Sequence, residues 1–388
     1  MMKSLGVYIH IPFCVRKCLY CDFLSMPAPE TMRARYVEAL CAEIAAEAVR
    51  YRAYRVSTAF VGGGTPSVLS AAQLTDIFSC LRVHYAVEPE AEITVEINPG
   101  TVTEEKLAAC RNAGVTRISL GLQSADNGEL QRIGRAHTWE DFLEAYRMCA
   151  AAGFDNINVD LMSALPGQTR QSWRRTLQAA VSLRPAPAHI SAYSLIVEEG
   201  TPFYALYGPD GDMRAAAGIW PLPDEDTDRA MYADTGRLLR AAGYERYEFS
   251  NYAQPGRACR HNCMYWRRGD YAGFGLGAAS MTENRRWSNV RDMAAYLSLP
   301  ADGKKTQVHR LSLPEQMEET MFLGLRMTQG VSRERFAQTF DREMDAVYGA
   351  VLERYAAMGL LESCGGQVRL TDRGIDVSNR VLADFLLT

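Results

Sequence analysis

Through its first half the chain alternates short β-branched runs with longer amphipathic stretches, the rhythm of strands joined by helices around a parallel sheet. Six runs read as strands, at 6–11, 58–61, 92–97, 117–122, 156–161 and 189–195, and helices are expected near 30–50, 70–83, 103–113, 139–152 and 169–183. Local chemistry supports the boundaries. Ser70 and Gln73 have the spacing of a capping box, in which each side chain satisfies a free backbone amide of the first turn. Gly114 and Gly153 follow the third and fourth helices, where a left-handed residue ends a helix at low steric cost. Six βα units suggest a partial barrel, although strand counting alone does not separate it from an open doubly wound sheet. In either arrangement ligands gather beyond the C-terminal ends of the strands.

From about 200 to 300 the rhythm breaks into a Pro/Gly-rich stretch at 202–226, one helix at 227–242 and the segment Tyr247-Glu-Phe-Ser-Asn-Tyr252, an elaboration of the main domain. After Lys305, Ser312-Leu-Pro-Glu315 opens a new helical region, again with capping-box spacing. A helix at 343–358 places Met344, Val347, Tyr348, Val351, Leu352 and Tyr355 on one face, and a Gly365-Gly366 turn follows. The expected organisation is therefore an α/β partial (β/α)6 barrel over 1–240, a barrel extension over 241–304 and a small winged-helix-like domain over 305–388.

Composition narrows the function. The 388 residues are 47% apolar and 23% charged, with a net charge of -4, which suits a substantial core and argues against disorder. That balance lacks the basic excess of a nucleic-acid binder, and residues 305–388 carry 10 Lys/Arg against 12 Asp/Glu, so the winged-helix-like unit is not expected to read DNA. No charged and then apolar leader is read, and no uncharged apolar run approaches the ~18 residues of a membrane span, so a cytoplasmic location is expected. There the ten cysteines would be reduced, and their spacing matters more than their number. Cys41, Cys80, Cys110, Cys149 and Cys364 stand singly and read as small hydrophobes; Cys14, Cys18 and Cys21 form one group, and Cys259 and Cys263 another.

Cys14-Val-Arg-Lys-Cys18-Leu-Tyr-Cys21 follows the first strand, so three thiolates converge where ligands gather. A 4Fe–4S cluster is ordinarily held by four thiolates. Three leave one iron open to a chelating ligand, and the amino and carboxylate groups of S-adenosylmethionine (SAM) would serve. Zinc is the rival, with His10 as a fourth ligand. Gly62-Gly63-Gly64-Thr65-Pro66 follows the second strand, and its glycines allow a ligand to approach the backbone. Glu96, Gln123 and Asp160 each end a different strand, and Arg135 lies within reach to pair with a carboxylate.

The CxxxCxxC loop in this position resembles that of the radical SAM superfamily. More narrowly, Tyr8-Ile-His-Ile-Pro-Phe-Cys14, the Gly-Gly-Gly-Thr-Pro segment, Ser119-Leu-Gly-Leu-Gln123 and His261-Asn-Cys-Met-Tyr-Trp266 are similar to the family that unites oxygen-independent coproporphyrinogen III dehydrogenase with the HemW-type heme chaperones. The resemblance implies a 4Fe–4S cluster on Cys14, Cys18 and Cys21, and SAM contacts at Tyr8, Gly63, Gly64, Thr65, Glu96, Gln123, Arg135 and Asp160, with Tyr20 beside the adenine. His261, Asn262 and Tyr265 match the family's HNxxY heme motif, and Met264 and Trp266 offer apolar surface nearby. Cys259 and Cys263 receive no role. The dehydrogenase pattern carries a fourth cysteine two residues after the third, where this chain has Phe23, and a leading segment ahead of the Tyr8 strand. The chaperone branch is therefore the expectation, with heme and heme-accepting respiratory proteins as partners. Peripheral attachment to the inner face of the membrane and homodimer formation stay open. The rival is radical oxidative decarboxylation of coproporphyrinogen; a degenerate barrel serving as an interaction scaffold is a third reading.

Overall fold

The computed structural model describes residues 2–211 and 220–387. Six parallel strands, β1 (Lys3–Ile11), β2 (Tyr54–Gly63), β3 (Val87–Ile97), β4 (Arg117–Gln123), β5 (Ile157–Ser163) and β6 (His189–Ser194), lie side by side in sequence order. A doubly wound sheet reverses its strand order partway across; this one does not, so the singly wound order of a partial barrel holds. Beyond β6, β7 (Glu245–Arg246) and β8 (Asn251–Ala253) add antiparallel in the order β6-β8-β7. Beyond β1 come β9 (Tyr271–Phe274), parallel to it, and then β10 (Ala279–Thr282), β11 (Arg285–Asn289) and β12 (Lys305–Arg310). The sheet of 12 strands stays open, with β12 and β7 at its edges. Lys305–Arg310 pairs with β11, so the large sheet runs past the expected domain start at 305: the hydrogen bonds of an edge strand, invisible in the residue pattern, hold it there.

The six parallel strands bury both faces, but the faces differ. Leu5, Val7, Ile9 and Ile11 of β1, Ile93 and Val95 of β3, and Ile118, Leu120 and Leu122 of β4 join the main core. The intervening positions carry Tyr8, His10, Thr94, Glu96, Ser119, Asn158, Asp160 and His189, which point the other way, as successive strand side chains must. The barrel interior is thus polar, and several of its groups satisfy one another. Asn158 Nδ2 donates to Ser119 Oγ at 2.7 Å and to Asp160 Oδ1 at 2.7 Å, so its Oδ1 is left to accept from His189 Nδ1 at 2.6 Å. The fully buried His189 is therefore neutral, with Nε2 free to accept from Tyr247 OH at 2.8 Å, and burial pushes its pKa well down in keeping with that tautomer.

Helices Glu30–Glu47, Ala71–His84, Glu104–Asn112, Trp139–Ala151 and Arg170–Val181 cover the apolar face, close to the expected bounds. Ser70 and Gln73 form both bonds of the capping box, and Gly114 and Gly153 have φ of +79° and +84°. The barrel extension is fastened to the first helix by the buried Glu43, whose oxygens accept from Asn289 Nδ2 at 2.6 Å, Tyr296 OH at 2.6 Å and Gly275 N–H at 3.1 Å. Within the stretch expected as loop, Pro202–Tyr207 forms a short helix; residues 212–219 of that stretch lie outside the described residues.

From Leu313 a smaller unit builds its own core of Met321, Phe336, Phe340, Met344, Tyr348 and Leu352 beneath the strand order β13 (Val331–Ser332), β15 (Gln367–Leu370), β14 (Leu361–Cys364). Phe249 of the large domain inserts into that core, and Thr328 N–H donates to Tyr247 O at 3.0 Å. Among the described residues no helix is long and apolar enough to cross a membrane.

Candidate functional site

The cysteine loop leaves the sheet at a closed neck. Met26 N–H donates to Pro12 O at 2.9 Å and Cys14 N–H to Met26 O at 3.1 Å, so the residues between are presented as one lobe. Its far side is pinned to the turn after Ile133: Leu19 N–H donates to Ile133 O at 3.1 Å, and Arg16 donates to the Gly134 and Arg135 carbonyls at 2.9 Å. Beneath the lobe, at the C-terminal strand ends, lies a cavity of about 260 Å³ lined by Cys14, Cys18 and Cys21. Tyr20, Gly63, Gly64, Thr65, Glu96, Gln123, Arg135 and Asp160 complete its wall.

The glycine turn has steric reasons. A Cβ on Gly64 would stand 2.6 Å from Phe13 O and 2.8 Å from Ile11 O, so only glycine lets β2 pass this close beneath the cysteine loop. Gly63, at φ +107°, donates its N–H to Glu96 Oε2 at 3.0 Å. Thr65 Oγ1 donates to Cys14 Sγ at 3.4 Å. Glu96 is half-buried and its pKa is pushed up to about 8, first by desolvation and then by the charge of Asp160, against the pull of the Gly63 amide. Asp160 is likewise raised by burial, with Asn158 and Ser119 as its donors. Arg135 donates to Asn98 Oδ1, to Gly121 O at 3.1 Å and to Cys18 Sγ at 3.8 Å, while its Nε has no partner. Gln123 ends β4 at φ +70°, a left-handed conformation costing a non-glycine residue about 1 kcal/mol, and accepts from Tyr193 OH at 3.0 Å.

These residues fit a cluster and its ligand better than zinc. His10 Nε2 lies 2.8 Å from Leu24 O, which can only accept, so Nε2 carries the proton and Nδ1 accepts from Tyr8 OH at 2.9 Å. No lone pair remains for a metal. Among the described residues, moreover, no three His, Cys, Asp or Glu side chains group closely enough to hold a single ion. Three thiols that share a cavity without converging on one point suit a cluster, which spreads its ligands over several irons. Two half-buried carboxylates and an arginine that share one cavity suit a small zwitterion, and the amino-acid end of SAM is one.

Eight of the nine positions expected to contact SAM line this cavity; Tyr8 does not. It lies one strand layer deeper than His10 and faces a separate cleft of about 270 Å³ with Phe60, His261, Asn262, Tyr265, Tyr271 and Ala279. Periodicity specifies the face of a strand, not the depth at which a side chain sits along it. Conversely, Asn98, Ser119 and Tyr193 line the cysteine cavity without having been singled out; Tyr193 ends the sixth strand, and the strand-end rule applied there would have found it.

The cleft is a box of rings. His261 stacks on Phe60 at 5.4 Å, Tyr265 meets His261 edge-on at 4.8 Å, and Tyr271 meets Tyr265 edge-on at 4.7 Å. His261 itself is 1% exposed, with Thr58 Oγ1 2.9 Å from Nδ1 and Tyr265 OH 3.0 Å from Nε2. Burial depresses its pKa to about 3, so it is neutral. Expected as a heme contact, it has both nitrogens engaged here and orients Tyr265, its neighbour one turn along the helix Arg260–Trp266. Cys259 and Cys263 are buried, and the Cys259 thiol and the His261 N–H both donate to Glu92 Oε1, at 3.5 and 3.0 Å.

Residues 8–180 match the family model described as Radical SAM superfamily, and residues 311–377 match the HemN C-terminal domain. The chain is 37% identical over 388 residues to the heme chaperone HemW of Bacillus subtilis, covering 99% of each. It is 34% identical to the heme chaperone HemW of Lactococcus lactis (100% of this chain, 98% of the relative) and 33% identical to that of Escherichia coli (99% of each). The solved structure of coproporphyrinogen III oxidase (HemN) from Escherichia coli, a radical SAM enzyme, superposes with a TM-score of 0.85 at 22% identity, covering 100% of this chain and 91% of that one, a likeness of fold.

Proposed function

The chain belongs to the HemW family of the radical SAM superfamily, and from that premise we propose that it is a heme chaperone that holds a 4Fe–4S cluster and SAM, and passes heme to respiratory acceptor proteins at the inner face of the membrane. The observation that carries the reading is the cavity at the strand ends, which three thiols share with two half-buried carboxylates and an arginine. Cys14, Cys18 and Cys21 hold the cluster and leave one iron for the ligand. A reduced cluster held by these residues would supply the electron for cleavage of the SAM sulfonium. Glu96, steadied by the Gly63 amide, receives the ligand's ammonium group, and Arg135 pairs with its carboxylate. Tyr20, beside two of the cysteines, offers its ring to the adenine.

Heme is the cargo, and the ring-lined cleft at the HNxxY helix supports contact with a porphyrin face through Tyr8, Phe60, Tyr265 and Tyr271. Anaerobic reconstitution tests the assignment. About four irons per chain, SAM binding and a heme absorbance band on titration are expected, without conversion of coproporphyrinogen III. Formation of protoporphyrinogen IX with SAM consumption would instead assign the oxidative decarboxylase, and a chain that takes neither cluster nor SAM would be a scaffold.

A further inference from the structure

The helix Arg260–Trp266 has a second end. Past Tyr265 it delivers Trp266, Arg267 and Arg268 to a cleft of about 410 Å³ closed on its other side by the C-terminal unit, through Met327, Arg335 and Phe336. This volume lies within the ~300–1,000 Å³ typical of sites for small organic ligands. The lining combines flat or flexible apolar groups with three arginines, and no carboxylate lines it, in a chain whose net charge is -4. Arg268 is committed elsewhere, to Glu319 at 3.2 Å and Asn284 at 2.6 Å. Arg267 and Arg335 are exposed and meet no carboxylate at ion-pair distance among the described residues. Trp266 adds its indole ring to the lining, with the Arg326 guanidinium 4.5 Å from that ring.

We propose that this cleft binds heme by its carboxylate-bearing edge, the propionates on Arg267 and Arg335 and the apolar ring edge against Trp266, Met327 and Phe336. The proposal rests on the heme-carrier reading and adds to it a propionate-recognition seat between the motif helix and the C-terminal unit, distinct from the ring-lined cleft inside the barrel. Arginine suits the task because its planar fork takes a carboxylate through two parallel hydrogen bonds. Both residues are exposed, so their replacement leaves the core intact.

The test titrates the full-length, cluster-loaded protein with heme and with heme dimethyl ester, in which both propionates are masked. The unaltered protein is expected to bind free heme about tenfold more tightly than the ester, and the Arg267→Gln/Arg335→Gln double variant to lose that preference by weakening only for free heme. Iron content and SAM binding should be the same in both proteins. Equal affinity of the unaltered protein for heme and ester overturns the proposal without any variant, and so does a double variant that keeps the full preference. Absence of heme binding altogether would overturn the carrier reading itself, a result distinct from loss of the preference.

Discussion

The cysteine cavity and the Cys259–His261 end of the HNxxY helix both belong to short motifs, yet they stand in opposite states of satisfaction. At the strand ends, partly exposed thiols share a cavity with an unpartnered arginine nitrogen and two carboxylates held above their ordinary pKa by burial. On the helix, His261 is buried with both nitrogens engaged and Cys259 is paired with Glu92. Unmet hydrogen-bonding and ligating capacity marks a place that waits for a ligand; a closed network marks one that holds the protein together. A motif therefore does not by itself say which of the two its residues do.

Cysteine replacement should separate the regions most sharply. Cys18→Ser is expected to abolish cluster assembly, measured as iron and sulfide per chain, whereas Cys259→Ser should leave iron unchanged; a fall in iron in Cys259→Ser would break the contrast. The next effect is in pH. Glu96 has a folded pKa of about 8 against an ordinary 4.5, so between those values the folded chain binds more protons than the unfolded one. Stability of the cluster-free protein therefore falls as pH rises across that window, by an amount on the order of a few kcal/mol, and Glu96→Gln should flatten the slope. Thermal unfolding from pH 4.5 to 8 measures it, and an unchanged slope in the variant would remove Glu96 as its cause.

His261→Ala removes a stacked ring and leaves Thr58 and Tyr265 without their partner, which should cost about 3 kcal/mol of unfolding free energy. Chemical denaturation checks this. Loss of the heme band at unchanged stability would show instead that His261 acts as a ligand, and the two regions would no longer differ. The smallest effect is expected for Arg135→Met, a rise of about tenfold in the SAM dissociation constant, or ~1.4 kcal/mol, by calorimetry, with cluster content retained.

Much of the barrel was legible because its signals are local. Caps at Ser70 and Ser312, glycines at 114 and 153, and alternating strand residues report on neighbours within a few positions, and each formed as expected. Tyr8 was harder, since the depth of a side chain in a barrel follows from strand register. Tyr193 escaped notice because Tyr is as common in cores as in sites, and β12 because edge pairing leaves no residue pattern. The likeness of 261–265 to a heme motif did not reveal that its histidine has both nitrogens engaged within the fold.

From the chain alone came three thiols in one loop after a strand, a row of polar groups at strand ends and a Phe23 where the related dehydrogenase pattern has cysteine, all consequences of spacing over a few residues. Folding settled which of those groups share a cavity, that the motif helix packs on β2 through His261, and that its far end meets the C-terminal unit across an arginine-lined cleft. The reason is distance along the chain. The bonds that seat His261 join residues 169 and 203 positions apart, and such pairings arise from the packing of whole elements, to which no local pattern is tied.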